Sequence, residues 1–382
     1  MSASPLAFFD SEPGRLESID ALRGFAFIAV LLVHASQAVP EFPGRDIAKA
    51  GAYGVSLFFI ASAYTLLASY NRRRSKEIAP LRSFFIRRVF RILPLFWAGI
   101  LFYFFIDGTW NRGWAEGSLT WFHFTLTALL LHGWHPDTIN SVVPGGWSIA
   151  AEFGFYMMAP ALFQIITTWR RALAGYILAC ALALTINSAA RGGLIALLFP
   201  EVAPWRRGSF TWLWLPAHFP TFLLGFLAYH LHDPIRAFTP KMRGALLAGA
   251  CVCLLIGALS LNGALADFLF PILLAGFAIA LIVWPISLLV NRFTCFVGML
   301  SFSAYITHFA ALRVMENILP LLPIHLSGFA AFASLLLGTF SLTIVASTIT
   351  YHGIEKPGIA LGRRLVRKLQ NTSTTYSALK TA

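Results

Sequence analysis

The sequence predicts an all-α, polytopic membrane protein with about ten transmembrane helices, on three observations. Of its 382 residues, 58% are hydrophobic and only 12% are charged, where soluble chains carry roughly a quarter charged residues. Apolar runs of about 17 to 25 residues recur from end to end, the length that crosses a hydrocarbon core of ~30 Å. The short alternating strands of a β-barrel are missing.

Taken in order, the first span, 18–39, follows a segment, 1–17, that has neither a positive n-region nor a small-residue cleavage site. It is expected to stay on the chain as an uncleaved anchor. Span 52–70 runs into the basic stretch "NRRRSK" at Asn71–Lys76, and span 88–106 overlaps the end of "RSFFIRRVFR" at Arg82–Arg91. Next comes "LTWFHFTLTALLLHGWH", residues 119–135, which is short and ends in two histidines and a glycine. The remaining spans are 147–168, 172–189, 212–230, 243–261, 265–290, 294–318 and 326–351. Residues 18–357 form the membrane domain, and 358–382 a basic and then polar cytoplasmic tail, expected to be disordered beyond Arg367.

Charge decides how 119–135 is treated. If it crosses, "WRRA" (Trp169–Ala172) and "PKMRG" (Pro240–Gly244) fall outside. If it re-enters and leaves on the same side, these runs, Arg292 and the basic tail fall inside, and "PWRRG" near Arg206 is the main basic group left outside. The second arrangement satisfies the positive-inside rule better. It puts both termini in the cytoplasm, with the non-helical backbone of the re-entrant segment covered by protein or water. The formal charge of +13 therefore sits in loops beside the membrane. That distribution suits anionic lipid headgroups and gives no reason to expect nucleic acid. The four cysteines (Cys180, Cys251, Cys253, Cys295) lie in apolar spans, and Cys251 and Cys253 face different ways on a helix. Neither a disulfide nor a metal site is indicated.

Arg23 and His34 sit in the first span, eleven residues apart. At 3.6 residues per turn that is three turns and roughly 20°, so both leave one helix face about 16 Å apart along the axis. Intramembrane ionisable residues mark functional sites by default, since a charge facing lipid costs at least ~2.5 kcal/mol. Arg23 could instead snorkel to the interface, and His34 could be a structural histidine. Their shared face argues against both alternatives. Glu152 and His308 lie at the outer level of their own spans, and a buried carboxylate needs a partner or a proton.

Six stretches in fixed order resemble acyltransferase family 3, the integral-membrane O-acyltransferases, over Ser18 to Pro357. "SIDALRGFAFIAVLLVHA" carries the family's Arg-x10-His signature at Arg23 and His34. "GVSLFFIASAYTL" is similar to its second-helix pattern, with Ser56 replacing an acidic residue and Ala63 replacing glycine. "RRVFRILPLFW", "GGWSIAAEFGFYMMAP", "LSFSAYITH" and "IEKP" resemble its remaining blocks, the last with Lys356 for arginine.

The resemblance implies transfer of an acyl group, usually acetyl, to a hydroxyl of a carbohydrate or other exported acceptor. Acyl-coenzyme A is the implied donor, a co-substrate in a protein with no permanently bound cofactor, and the cell membrane is the implied location. A hydroxyl attacking a thioester needs a base, and imidazole suits neutral pH. His34 is therefore expected to be the base or a transient acyl carrier, with Glu152 orienting it or sharing its proton. Arg23 is suited to a donor phosphate, and Arg87, Arg88 and Arg91 add cationic groups at the same entrance. Trp147, Ser148, Tyr305 and His308 are assigned to the acceptor. A transporter or flippase fits buried polar residues equally well on physics. The lack of internal repeats and the ordered motifs favour the enzyme.

Overall fold

The computed structural model describes residues 16–39, 41–110, 113–261, 263–321 and 326–381. The N-terminal segment 1–17 lies outside them but for its last two residues. The described residues are mostly helical, with no strand among them. The principal helices are α1 (Glu17–Ala38), α2 (Gly54–Arg73), α3 (Pro80–Asp107), α4 (Trp121–Ala128), α5 (Gly146–Ile165), α6 (Trp169–Ala189) and α7 (Pro204–Leu213). They continue with α8 (Leu215–Arg236), α9 (Pro240–Ser260), α10 (Gly263–Val283), α11 (Arg292–Ile318), α12 (Gly328–Thr350) and α13 (Lys356–Thr381). Among the described residues, nine stretches of helix are long and apolar enough to cross a membrane. This is an all-α polytopic membrane protein.

Local chemistry sets the helix ends. Thr168 caps α6 by accepting from the Arg171 amide, and Thr239 caps α9 through Met242, with Pro240 at the first helical position. Asn291 and Thr294 form a capping box on α11. Helix α10 stops at Val283, short of the expected 290, because Trp284 precedes Pro285 and the residue before proline disfavours helix. The tail is a correction to expectation. Helix continues to Thr381, and Gln370 is tied down, accepting from the Ile78 amide at 2.8 Å and donating to Ser83 Oγ at 3.1 Å.

The chain forms two compact units. One comprises the chain up to Thr65 with Leu224–Ser347, the other Leu66–Leu223 with the chain from Thr348 on. In the first, α1 and α11 pack most closely. A Cβ on Gly24 would strike the Thr294 carbonyl, and one on Gly298 the Asp20 carbonyl. In lipid there is no hydrophobic drive to join helices, so small residues that let backbones approach hold such pairs together. Further along, Phe27 and Leu31 pack with Val297 and Ala304, and Ala35 shares a cluster with Leu312.

That register fixes direction. Position numbers rise together along both contacts, so α1 and α11 are parallel and cross the membrane in the same sense. Between them in the chain, α4 has only eight residues, about 12 Å and too short to cross, and segment 119–135 bends at Leu130, at φ 60°, and at the turn His132–Trp134.

In the second unit this segment is pinned. Trp97 Nε1 donates to the Ala128 carbonyl at 2.9 Å, and the buried His132 donates through Nε2 to Gly146 at 3.0 Å while stacking on Phe96. The stranded charge near α7 is also resolved. Arg206 is buried and ion-paired with both Asp137, at 2.9 Å, and Glu116. Arg206→Ala would leave the Asp137 carboxylate, largely shielded from solvent, without its cation. A destabilisation of about 3–5 kcal/mol is expected, read as a lowered Tm of the detergent-solubilised protein, with Arg206→Lys intermediate.

Candidate active site

The predicted site residues fall into two groups, one in each unit. In the first unit, Arg23 and His34 are both half-buried on the unbroken helix α1. His34 lies ten residues past Gly24, and His308 ten residues past Gly298. Equal rises of about 15 Å from a close contact between parallel helices bring the two rings to one level. Their centroids are 5.4 Å apart with the planes tilted 35°. Phe309 lies against both, at 4.4 Å from His34 and 4.2 Å from His308, and Phe27 meets His308 edge-on.

Hydrogen bonds define the tautomers. His34 Nδ1 donates to Gln37 Oε1 at 3.2 Å, and His308 Nδ1 donates to the Tyr305 carbonyl at 2.8 Å. Each neutral ring then carries its lone pair on Nε2, the form a base requires. Tyr305 is buried, packs 5.5 Å from the His308 ring, and meets Phe58 edge-on. Arg23 stands near the other end of α1, one turn beyond the buried Asp20.

In the second unit, Glu152 on α5 accepts the Tyr156 phenol at 2.5 Å, and the Arg88 guanidinium lies 5.9 Å over the Tyr156 ring. Arg88, Tyr156 and Glu152 thus form one connected polar cluster. Arg87 is held in a two-pronged pair with Glu77, at 2.7 and 3.1 Å. Arg91 is half-buried one turn along α3. At the start of α5, Trp147 packs 5.0 Å from the His218 ring, and Ser148 donates to the Gly145 carbonyl at 3.1 Å.

Sequence reasoning passed over Gln37, Phe309 and Tyr156 as site residues. Gln37 lies three positions after His34, and Tyr156 four after Glu152, spacings at which helical side chains meet. Phe309 had no such signal. It touches His34 only because α11 packs on α1.

A family model described as an acyltransferase domain matches residues 16–350. The acyltransferase MdmB of Streptomyces mycarofaciens is 27% identical over 168 residues, 40% of this chain and 40% of that protein. The peptidoglycan O-acetyltransferase OatA of Listeria monocytogenes is 27% identical over 164 residues, 40% of this chain and 25% of that protein. These matches cover less than half of either relative's length. With a family match running from the start of α1 to the end of α12, the chain belongs to the acyltransferase domain family.

Proposed function

We propose that the protein is an O-acyltransferase of the cell membrane. It moves an acyl group, acetyl in the simplest case, from acyl-coenzyme A to a hydroxyl of a carbohydrate or another exported acceptor. The observation that carries this reading is the placement of Arg23 and His34 on one continuous helix, both withdrawn from full exposure, within a chain of this family. The Listeria relative, named for O-acetylation of peptidoglycan, supports a glycan hydroxyl as acceptor.

In this mechanism the basic loops orient the bundle with both termini in the cytoplasm. Arg23, near the inner end of α1, binds a donor phosphate through its planar fork. The acyl arm extends outward to His34, which takes the hydroxyl proton as the oxygen attacks the thioester carbon. In the second unit, Arg88 and Arg91 offer positive charge to a phosphate, while Arg87 is already engaged by Glu77. Glu152 holds charge or a proton within that unit, where Trp147 and Ser148 begin α5, and Tyr305 lies beside His308 in the first.

Arg23→Lys keeps the charge and loses the fork. The KM for acetyl-coenzyme A is expected to rise about tenfold, ~1.4 kcal/mol, with kcat nearly unchanged. An unaltered KM would return Arg23 to an interfacial anchor. The reading as a whole is tested by incubating membranes that contain the protein with [14C]acetyl-coenzyme A and following label into extractable glycan. Label that stays on the donor would overturn it.

A further inference from the structure

The mechanism above leaves His308 with no chemical task, although its environment is unusual. Its side chain is fully buried, and its Nε2 has no hydrogen-bond partner among the described residues. Leaving a buried polar atom unsatisfied is costly, and such atoms in a native fold call for an explanation. The Nδ1–H donated to the Tyr305 carbonyl fixes this Nε2 as an acceptor. The titratable groups against the ring are His34 from α1 and Tyr305 from its own helix, and Phe27 and Phe309 supply the apolar remainder. The two imidazoles lie with their centroids 5.4 Å apart, and in these tautomers each has its lone pair on Nε2.

We infer that His308 is the second imidazole of the proton path, acting through His34 to hold the proton that the acceptor hydroxyl releases. This rests on the acyl-transfer reading and deepens it. As the hydroxyl oxygen bonds to the acyl carbon, the carbon–sulfur bond breaks and its electron pair leaves on sulfur. The hydroxyl proton passes to His34 Nε2 and is shared with His308 Nε2. It then returns through His34 to the coenzyme A thiolate, which leaves as the thiol. His34 touches the reacting atoms. His308 positions and stores the proton, and a protein interior free of water is where such a store matters most.

The test uses full-length protein in membrane vesicles with [14C]acetyl-coenzyme A, and compares wild type, His34→Ala, His308→Phe and His308→Ala. His308→Phe keeps a ring in the packed site and removes both nitrogens. Its kcat is expected to fall at least about tenfold with the KM for acetyl-coenzyme A unchanged, within the ~10²–10⁴ range of a general-base contribution. In His308→Ala, added imidazole is expected to restore rate, while benzene, of similar size and without nitrogen, is not. Wild-type kcat in His308→Phe would overturn the inference. So would recovery of His308→Ala by both additives or by neither, since packing alone would then be the residue's role. Label transfer by His34→Ala at the wild-type rate would instead bring down the underlying acyl-transfer mechanism, so the two failures are told apart.

Discussion

His34→Ala is expected to lower acyl transfer by about 10²–10⁴-fold, the span that a positioned general base contributes, and to the detection limit if the residue carries the acyl group. Expression, membrane insertion and thermal stability should change little. The ring is half-buried rather than sealed, and its partners Gln37, His308 and Phe309 belong to helices held elsewhere by larger contacts. Initial rates alongside a detergent melting curve separate the two effects. A mutant that is inactive and also melts early would point to a structural imidazole.

Gly298→Val is expected to have the largest effect on the fold. Even the first carbon of a side chain at this position would overlap the Asp20 carbonyl, and backbone cannot move aside as a flexible side-chain end does. Overpacking typically costs about 1–3 kcal/mol where side chains can adjust, and here the neighbour is the spine of α1. Helices α1 and α11 must separate, taking His34 and His308 apart with them. The expected result is low yield of folded protein, with transfer activity lost in whatever is recovered. Gly353→Ala is the control, because a Cβ there meets nothing within contact distance. Near wild-type yield for Gly298→Val would show that the close α1–α11 crossing is absent in the membrane.

Much of this architecture was legible because it depends on local signals. Composition and run length gave the class, and the eleven-residue step put Arg23 and His34 on one face. The re-entrant reading of 119–135 rested on the distribution of basic residues, and the structure ends α4 there after eight residues.

What stayed hidden depends on distant partners. Nothing in "LSFSAYITH" announces that His308 meets His34, 274 positions earlier. The match arises because each lies ten residues beyond a glycine, and the role of Gly24 and Gly298 is visible only once the facing carbonyls are known. Arg206 looked like an arginine on the wrong side of the membrane because its counter-charges, Asp137 and Glu116, come from two separate loops, 69 and 90 positions away. The polar tail read as disordered because its composition lacks apolar residues, yet helix α13 continues from a packed segment where Gly358 and Gly362 lie against α3 at Phe90 and Pro94.

The central claim is that the half-buried arginine and imidazole of α1 serve one group-transfer reaction. A doubly labelled donor tests it most directly: [14C]acetyl on [3H]coenzyme A, given to the purified protein in sealed vesicles together with extracted cell-envelope glycan. Transfer separates the labels, with 14C moving onto glycan while 3H remains as free coenzyme A, and His34→Ala keeps them together. Wild-type protein that carries both labels across the membrane still joined, or leaves both on the donor, would contradict it.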